Sequence, residues 1–454
     1  MRFLRKSKVF LLIIRYSLFI IHLEGSVMIQ GILIKNGRVI DPSQNMDCVT
    51  NVLIENGRIT GFGMQPTGRE REIDAEGKIV APGLIDLHTH LREPGFEESE
   101  TIFTGTDAAL NGGYTSICAV PNTNPPIDTP ADVEFIQDQA ARADHCNVYV
   151  IGCISKNREG KELSEMGYLA RTGVVGFSDD GSDIENADLL RRAFEYAQMF
   201  NLPIMCHTED KNLTNRGVMN EGLVATRLGL RGIPSLAEDV MTARAIMLAE
   251  YTHGKLHLMH ISTVKGVQLI REAKKNGVNV TAEVTPHHLT LTEDLLESFD
   301  SNLKMAPPLR ARADVEACIE GLLDGTLDCV STDHAPHSAE KKQREIDQAP
   351  FGIVGLETSL AVLNTELILK GRMTWPQLIE KMATNPAKII NLPDGKGTLQ
   401  VGADADIVLI DPELKWTVTE SEMRSRSKNS PWLGKELTGR AVMVLVNGRI
   451  RMKR

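Results

Sequence analysis

The chain has 454 residues, 42% hydrophobic and 24% charged, a formal net charge of −10 and seven cysteines. That length allows two or three domains, or one large barrel with an accessory domain. The acidic balance argues against non-specific nucleic-acid binding. An odd number of scattered cysteines without a C-x-x-C pair is no disulfide framework, so a reducing compartment is the simpler reading.

Residues 1–27 stand apart. Met1–Lys8 is basic, and Val9–Ile21 is apolar but broken by Arg15. The stretch is signal-like, yet it lacks a small-residue cleavage site and is too short and interrupted for a membrane span. The favoured expectation is a misassigned start. The codons for Glu24-Gly25 can carry a GAGG ribosome-binding sequence ahead of Met28, and the globular pattern begins only at Ile29.

From Ile32 the pattern is short strands and tight turns. Ile34–Ile40 and Ile54–Ile59 centre on Asn36-Gly37 and Asn56-Gly57, a strong hairpin signal. The same signal returns at Asn447-Gly448, after a turn and strand at Gly402–Ile410. The two chain ends therefore predict one small composite β-sandwich domain, residues 28–79 and 393–454, beside a central domain at 80–392.

The centre alternates apolar runs with helical segments. The runs are Ile79–Ile85, Thr115–Val120, Val148–Ile154, Val174–Phe177, Pro203–Cys206, Leu256–Met259, Val278–Val284 and Cys329–Ser331. Between them lie patterns such as Leu189, Ala193, Ala197 and Phe200, which share one helical face. Near-continuous apolar strands alternating with helices imply a parallel sheet, and eight of them an α/β fold of the (β/α)8 TIM-like barrel type. A doubly wound sheet is the runner-up, but no G-x-G-x-x-G follows the first strand.

In a barrel the chemistry sits at the C-terminal ends of the strands. Here the first run leads into Asp86-Leu87-His88-Thr89-His90-Leu91-Arg92. Two histidines two apart on a strand share a face and can bind one metal ion together. Later strand ends carry Pro121-Asn122-Thr123, Asp179-Asp180-Gly181, His207-Thr208-Glu209-Asp210, His260-Ile261-Ser262, Pro286-His287-His288 and Thr332-Asp333-His334-Ala335-Pro336-His337. Converging imidazoles and carboxylates suit Zn²⁺. Blander readings stand beside this. His145, His253 and His257 read as structural or surface residues. His287 and His288 read equally as direct contacts or as supports for other ligands. Asp179 and Asp180 beside Gly181 read also as a plain turn. The charged segment Ser338–Ala349 reads equally as a lid or a solvated loop.

The run His88-Thr89-His90-Leu91-Arg92-Glu93-Pro94-Gly95 closely resembles the signature of the dihydroorotases of the amidohydrolase superfamily, in the bacterial class I branch. The resemblance continues through the strand-end motifs above and Pro350-Phe351-Gly352, covering nearly all of the chain from Met28. It implies a zinc-dependent, cytoplasmic enzyme that interconverts N-carbamoyl-L-aspartate and (S)-dihydroorotate in de novo pyrimidine biosynthesis, with one or two zinc ions. His88 and His90 would bind one zinc and His207 and His260 the other, with Asp180 bridging and Asp333 completing the first and acting in catalysis. His90, Leu91, Arg92, Asn122, Ala306, His337, Phe351 and Gly352 would surround the substrate. A homodimer and association with aspartate carbamoyltransferase are implied as well, with no nucleic-acid or membrane partner.

The sequence departs from the family pattern twice. Many relatives bridge the metals with a carbamylated lysine, where Ser178-Asp179-Asp180 stands here. The family often has an asparagine touching substrate at the position of Ala306, which has no such side-chain group. Two other readings are kept: another cyclic amidase (allantoinase or hydantoinase), and a non-catalytic scaffold subunit. Arg92 discriminates against the first, because a guanidinium matches a free substrate carboxylate that a hydantoin ring lacks. The filled ligand positions discriminate against the second.

Overall fold

In the computed structural model, which describes residues 31–454, the first five strands are β1 (Gly31–Asp41), β2 (Met46–Glu55), β3 (Arg58–Phe62), β4 (Glu70–Asp74) and β5 (Ile79–Pro82). The expected extension over residues 1–27 lies outside the described residues. Asn56-Gly57 turns β2 into β3 as expected. Asn36-Gly37 does not make a hairpin. It sits inside β1, where the register against β2 shifts between Ile34 and Gly37 and Asn36 takes φ 62°. An Asn-Gly pair serves a bulge as well as a turn, since both need a left-handed residue.

The barrel follows. Its strands are β6 (Leu84–Thr89), β7 (Tyr114–Ala119), β8 (Asn147–Gly152), β9 (Gly176–Phe177) and β10 (Ile204–Cys206). After a side pair, β11 (Met219–Asn220) with β12 (Gly232–Ile233), come β13 (Leu256–Leu258), β14 (Val280–Val284) and β15 (Cys329–Val330). All eight pair in parallel in the order β6-β7-β8-β9-β10-β13-β14-β15. The circle closes where Thr89 bridges His334 and both Asp86 carboxylate oxygens accept the Thr332 N–H at 3.2 Å. Helices fill the gaps between strands. Ala187–Gln198, for example, buries Leu189, Ala193 and Ala197, while Phe200 of the expected face lies just past its end.

The C-terminal strands β16 (Ile407–Thr417), β17 (Glu436–Val446) and β18 (Arg449–Lys453) return to the first sheet, where β16 pairs β5 antiparallel. One sheet, β18-β17-β16-β5-β1-β2-β3 with β4 on β1, thus joins both chain ends. Its two arms share a core of residues such as Ile34, Val52, Val80, Leu409 and Leu445.

The run Ile79–Ile85 is two strands, so sheet and barrel part at Gly83, not between residues 79 and 80. Gly83 donates its N–H to Asp406 O at 2.9 Å. A Cβ there would lie 2.1 Å from the Thr115 side chain, so the crossing needs glycine. Inside the barrel, Ile85, Leu87, Cys118, Val120, Ile151, Met205, Met259 and Cys329 pack together over Ala387 and Ile390. The barrel is filled below, which leaves the upper rim as the place for a ligand.

Candidate active site

The pairing of β6 with β7 shifts register between Asp86 and Thr89. Strict alternation would set His88 out of phase with the inward-facing Ile85 and Leu87. The irregularity lets His88 and His90 turn inward as well. His88 Nε2 lies 3.4 Å from Asp180 Oδ1 and 3.5 Å from Asp333 Oδ1. His90 Nε2 lies 2.9 Å from Asp333 Oδ1 and 3.6 Å from Asp180 Oδ2. His207 Nδ1 is 3.5 Å from Asp180 Oδ1 and 2.8 Å from His260 Nε2. Asp180 therefore stands between the two histidine pairs. His260 and Asp333 hold left-handed backbones, at φ 35° and 48°, a strain typical of functional positions.

The donor set fits a metal cation. Ligand atoms of His88, His90 and Asp333, and of His88, Asp180 and His260, each fall within 4.8 Å of one another. His88 Nε2, Asp180 Oδ2 and His260 Nδ1 are buried without a hydrogen-bond partner. His90 meets Asn122 Oδ1 at 2.9 Å through Nδ1 and Asp333 through Nε2. A neutral imidazole has one N–H, so two acceptors leave one contact without a proton. A cation between the Nε2 atoms and the carboxylates removes that conflict.

Electrostatics point the same way. Burial opposes a charge on His88, but Asp180, Asp333 and Glu283 outweigh it and hold its pKa well above the usual value. Burial would raise Asp333, yet His88, His90 and His260 bring it down to about 2. Asp180 is held well below the carboxylate range against its own burial, by His88 and His207. The opposite holds for His260, which burial and the neighbouring His207 and His88 push down to about 3, so the carboxylates favour positive charge at His88 and not at every imidazole.

Asp179 settles as the turn residue. Its Oδ1 accepts from the N–H groups of Ile154 (2.8 Å) and Ser155 (3.0 Å), and Oδ2 accepts from Ser155 Oγ. Gly181 at φ 78° completes the turn that aims Asp180 inward.

Two carboxylates to which the motifs assign no role, Glu283 and Asp86, support the site from below. Glu283 of β14 accepts from His88 Nδ1 at 2.7 Å and lies 3.2 Å from His257 Nε2. It fixes the tautomer that leaves His88 Nε2 facing the cavity. His257, read as structural or surface, is buried beside it. Asp86 accepts the His88 N–H at 3.0 Å, and its burial pushes its pKa up to about 6. Nothing local marks Glu283, because a single glutamate in an apolar run reads as an alternation. The trio His257, Glu283 and Cys329 is also close, but burial holds the Cys329 thiol well above its usual pKa, which disfavours the thiolate a metal needs. His288 is held structurally, Nδ1 at Thr285 Oγ1 (2.8 Å) and Nε2 donating to Pro307 O (3.0 Å). His287 Nε2 is buried without a partner.

Above these groups opens a cavity of about 350 Å³, lined among others by His90, Arg92, Asn122, Ala306, His337, Phe351 and Gly352. Arg92 gets there differently from expectation. β6 stops at Thr89, so strand alternation does not carry it; a left-handed backbone, φ 63°, does. Its Nε donates to Pro336 O at 3.1 Å, and burial holds its pKa at about 10, still charged at neutral pH. The Leu91 side chain lies in the hydrophobic core, leaving only its backbone for a ligand. His337 Nε2 donates to Phe351 O at 2.7 Å, and the Gly352 N–H is taken by Lys304 O at 3.0 Å. Ser338–Ala349 is not a free loop, since Lys342, Ile346 and Ala349 are buried. No helix among the described residues is long and apolar enough to cross a membrane.

A closed parallel barrel with this rim of histidines and carboxylates, beside a β-domain made from both chain ends, defines an amidohydrolase. The "Amidohydrolase family" model matches residues 233–452, and the "Dihydro-orotase-like" model residues 77–266. A dihydroorotase of Endomicrobium trichonymphae is 48% identical over 92% of this chain and 98% of its own length. One of Syntrophus aciditrophicus is 49% identical over 92% and 98%. Among solved structures, the L-hydantoinase (dihydropyrimidinase) of Arthrobacter aurescens superposes with a TM-score of 0.84 at 27% identity, covering 93% of this chain and 96% of that one. The chain belongs to the dihydroorotase family.

Proposed function

We propose that this enzyme is a zinc-dependent dihydroorotase, interconverting N-carbamoyl-L-aspartate and (S)-dihydroorotate in de novo pyrimidine biosynthesis, in the cytoplasm. The observation that carries the reading is the charged Arg92 beside a cavity lined by His90, His207, His260, Asp180 and Asp333, with His88 buried behind them. The sequence relatives named dihydroorotase support it, whereas the hydantoinase likeness is at the level of fold and lower identity.

In this reading His88, His90, Asp180, His207, His260 and Asp333 hold one or two zinc ions. When bound, zinc polarises an amide carbonyl and makes water a usable nucleophile near neutral pH. The protein does the rest. Arg92 pairs with the free carboxylate of the substrate and, with Asn122 and His337, orients the ring. The backbone of Leu91, Ala306, Phe351 and Gly352 shapes the remaining wall. Asp333 accepts the proton of the attacking water and returns it to the ring nitrogen as the C–N bond breaks; cyclisation runs the same transfers backward. Asp180, a short carboxylate, would stand in the role that a carbamylated lysine has in many relatives. A β-domain from residues 28–79 and 393–454 around a barrel at 80–392, with the boundary adjusted to Gly83, is the domain division we adopt. A homodimer and association with aspartate carbamoyltransferase rest on the family resemblance.

The deciding assay offers dihydroorotate, hydantoin, dihydrouracil and allantoin to the purified protein, with and without chelator. Dihydroorotate should be hydrolysed best, and activity should vanish on chelation and return with zinc. Preference for an uncharged ring, or full turnover without metal, overturns the reading.

Arg92 supplies a sharper test. Arg92→Met should weaken dihydroorotate binding by about 2–5 kcal/mol, the usual result of stripping one member of a buried charge pair, with zinc content retained. Unchanged KM and kcat would assign the substrate carboxylate to another group.

A further inference from the structure

Among the described residues, two lysines beside the cavity are buried without a salt bridge. Lys304 and Lys342 are 3% and 5% exposed, and among the described residues their ammonium groups meet only carbonyls in the hydrogen-bond network. Lysine is seldom buried unless paired, because desolvating an ammonium is unfavourable. Such an arrangement persists where it does something.

Lys342 Nζ donates to Gly352 O at 3.0 Å, Pro350 O at 3.1 Å and Lys304 O at 3.4 Å. Its three protons thus join two segments of chain. Lys304 Nζ donates to Ile346 O at 2.6 Å and Asp347 O at 3.2 Å, and stands 4.6 Å from the centre of the Phe351 ring. The Gly352 N–H closes the tie on Lys304 O. Both joined segments are walls of the catalytic cavity, one through Ala306 and the other through Phe351 and Gly352. His337, a further lining residue, donates to Phe351 O on the same tied wall.

We propose that Lys342 is a positioning residue for substrate binding: its ammonium ties the Lys304–Ala306 wall to the Pro350–Gly352 wall and so sets the width of the cavity and the placement of His337. The tie explains why the charged segment 338–349 lies packed down, and it gives order to a wall where Ala306 offers no polar side chain. Burial, and for Lys342 the nearby Lys304 charge, hold the Lys342 and Lys304 pKa values down to about 7 and 8, only partly offset by Asp300 and Asp347 respectively. The kinetic consequence rests on the dihydroorotase reading; the tie itself does not.

The test compares Lys342→Met with Lys341→Met, whose lysine pairs with Glu98 on the surface. Lys342→Met should raise KM for dihydroorotate about tenfold or more while kcat stays within about threefold and zinc content is unchanged, the pattern of lost binding without lost chemistry. Lys341→Met should change neither. A drop in melting temperature with KM unchanged, or a fall in kcat alone, overturns the proposal. Hydrogen exchange at the Gly352 amide, measured on the same proteins, judges the tie whatever the substrate. Lost protection there in Lys342→Met, with the barrel strands still protected, supports it; retained protection overturns it. Should Lys342→Met fail to fold, Lys342→Gln, which keeps two N–H donors, is read by the same exchange and kinetic criteria.

Discussion

Asp333→Asn is expected to lower kcat for dihydroorotate hydrolysis by about 10²–10⁴-fold, the range for removing general acid–base catalysis. Asparagine keeps the shape and one oxygen toward His90 Nε2, now 2.9 Å away, but cannot take up a proton. Asp333 is also within 3.5 Å of His88 Nε2, so its charge helps hold whatever cation sits there. The two roles separate experimentally. If zinc content is retained and kcat falls, the carboxylate moves protons; if zinc is lost in proportion, it serves chiefly as a ligand. A variant within a few-fold of the parent would remove Asp333 from the proton path.

Asp180→Ala should lose nearly all activity and one equivalent of zinc, while Asp179→Ala should lose far less of either. The neighbours have the same side chain and opposite situations. Asp180 lies 3.4–3.6 Å from nitrogens of three histidines and keeps one oxygen without a partner. Asp179 spends both oxygens on the Ile154–Ser155 turn. Removing Asp179 should destabilise that turn by about 1–3 kcal/mol through unpaired buried N–H groups, an effect on melting temperature more than on metal. If a carboxylate takes the place of the carbamylated lysine, as proposed, reconstitution with zinc should succeed in bicarbonate-free buffer, and the intact mass should carry no carbamate. The reverse ranking of the two variants would move the bridge to Asp179. A strict bicarbonate requirement would point to a lysine.

The histidines and aspartates of the rim were legible because strand-end position is a strong constraint. Once eight apolar runs alternate with helices, each run's C-terminal end must reach the same rim, so residues far apart in sequence converge without any contact being known. His88, His90, Asp180, His207, His260 and Asp333 all follow from that rule together with the family resemblance. The composite β-domain was legible from Asn-Gly turns at both ends, although Asn36-Gly37 proved a bulge, since an Asn-Gly pair marks a left-handed backbone and not what the strand does next.

What the sequence by itself determined is therefore the barrel, the rim residues and the family, all carried by periodic hydrophobicity and short motifs. Only the tertiary structure decided the rest. It split Ile79–Ile85 at Gly83, because the crossing depends on how closely Thr115 approaches from the next strand. It showed what Asp179 does instead, because the Ile154–Ser155 amides capture its carboxylate. It brought Glu283 beneath His88, 195 positions earlier, and Lys342 between two cavity walls. Those four outcomes depend on packing between elements distant along the chain, and local pattern carries no information about such contacts until the barrel has closed.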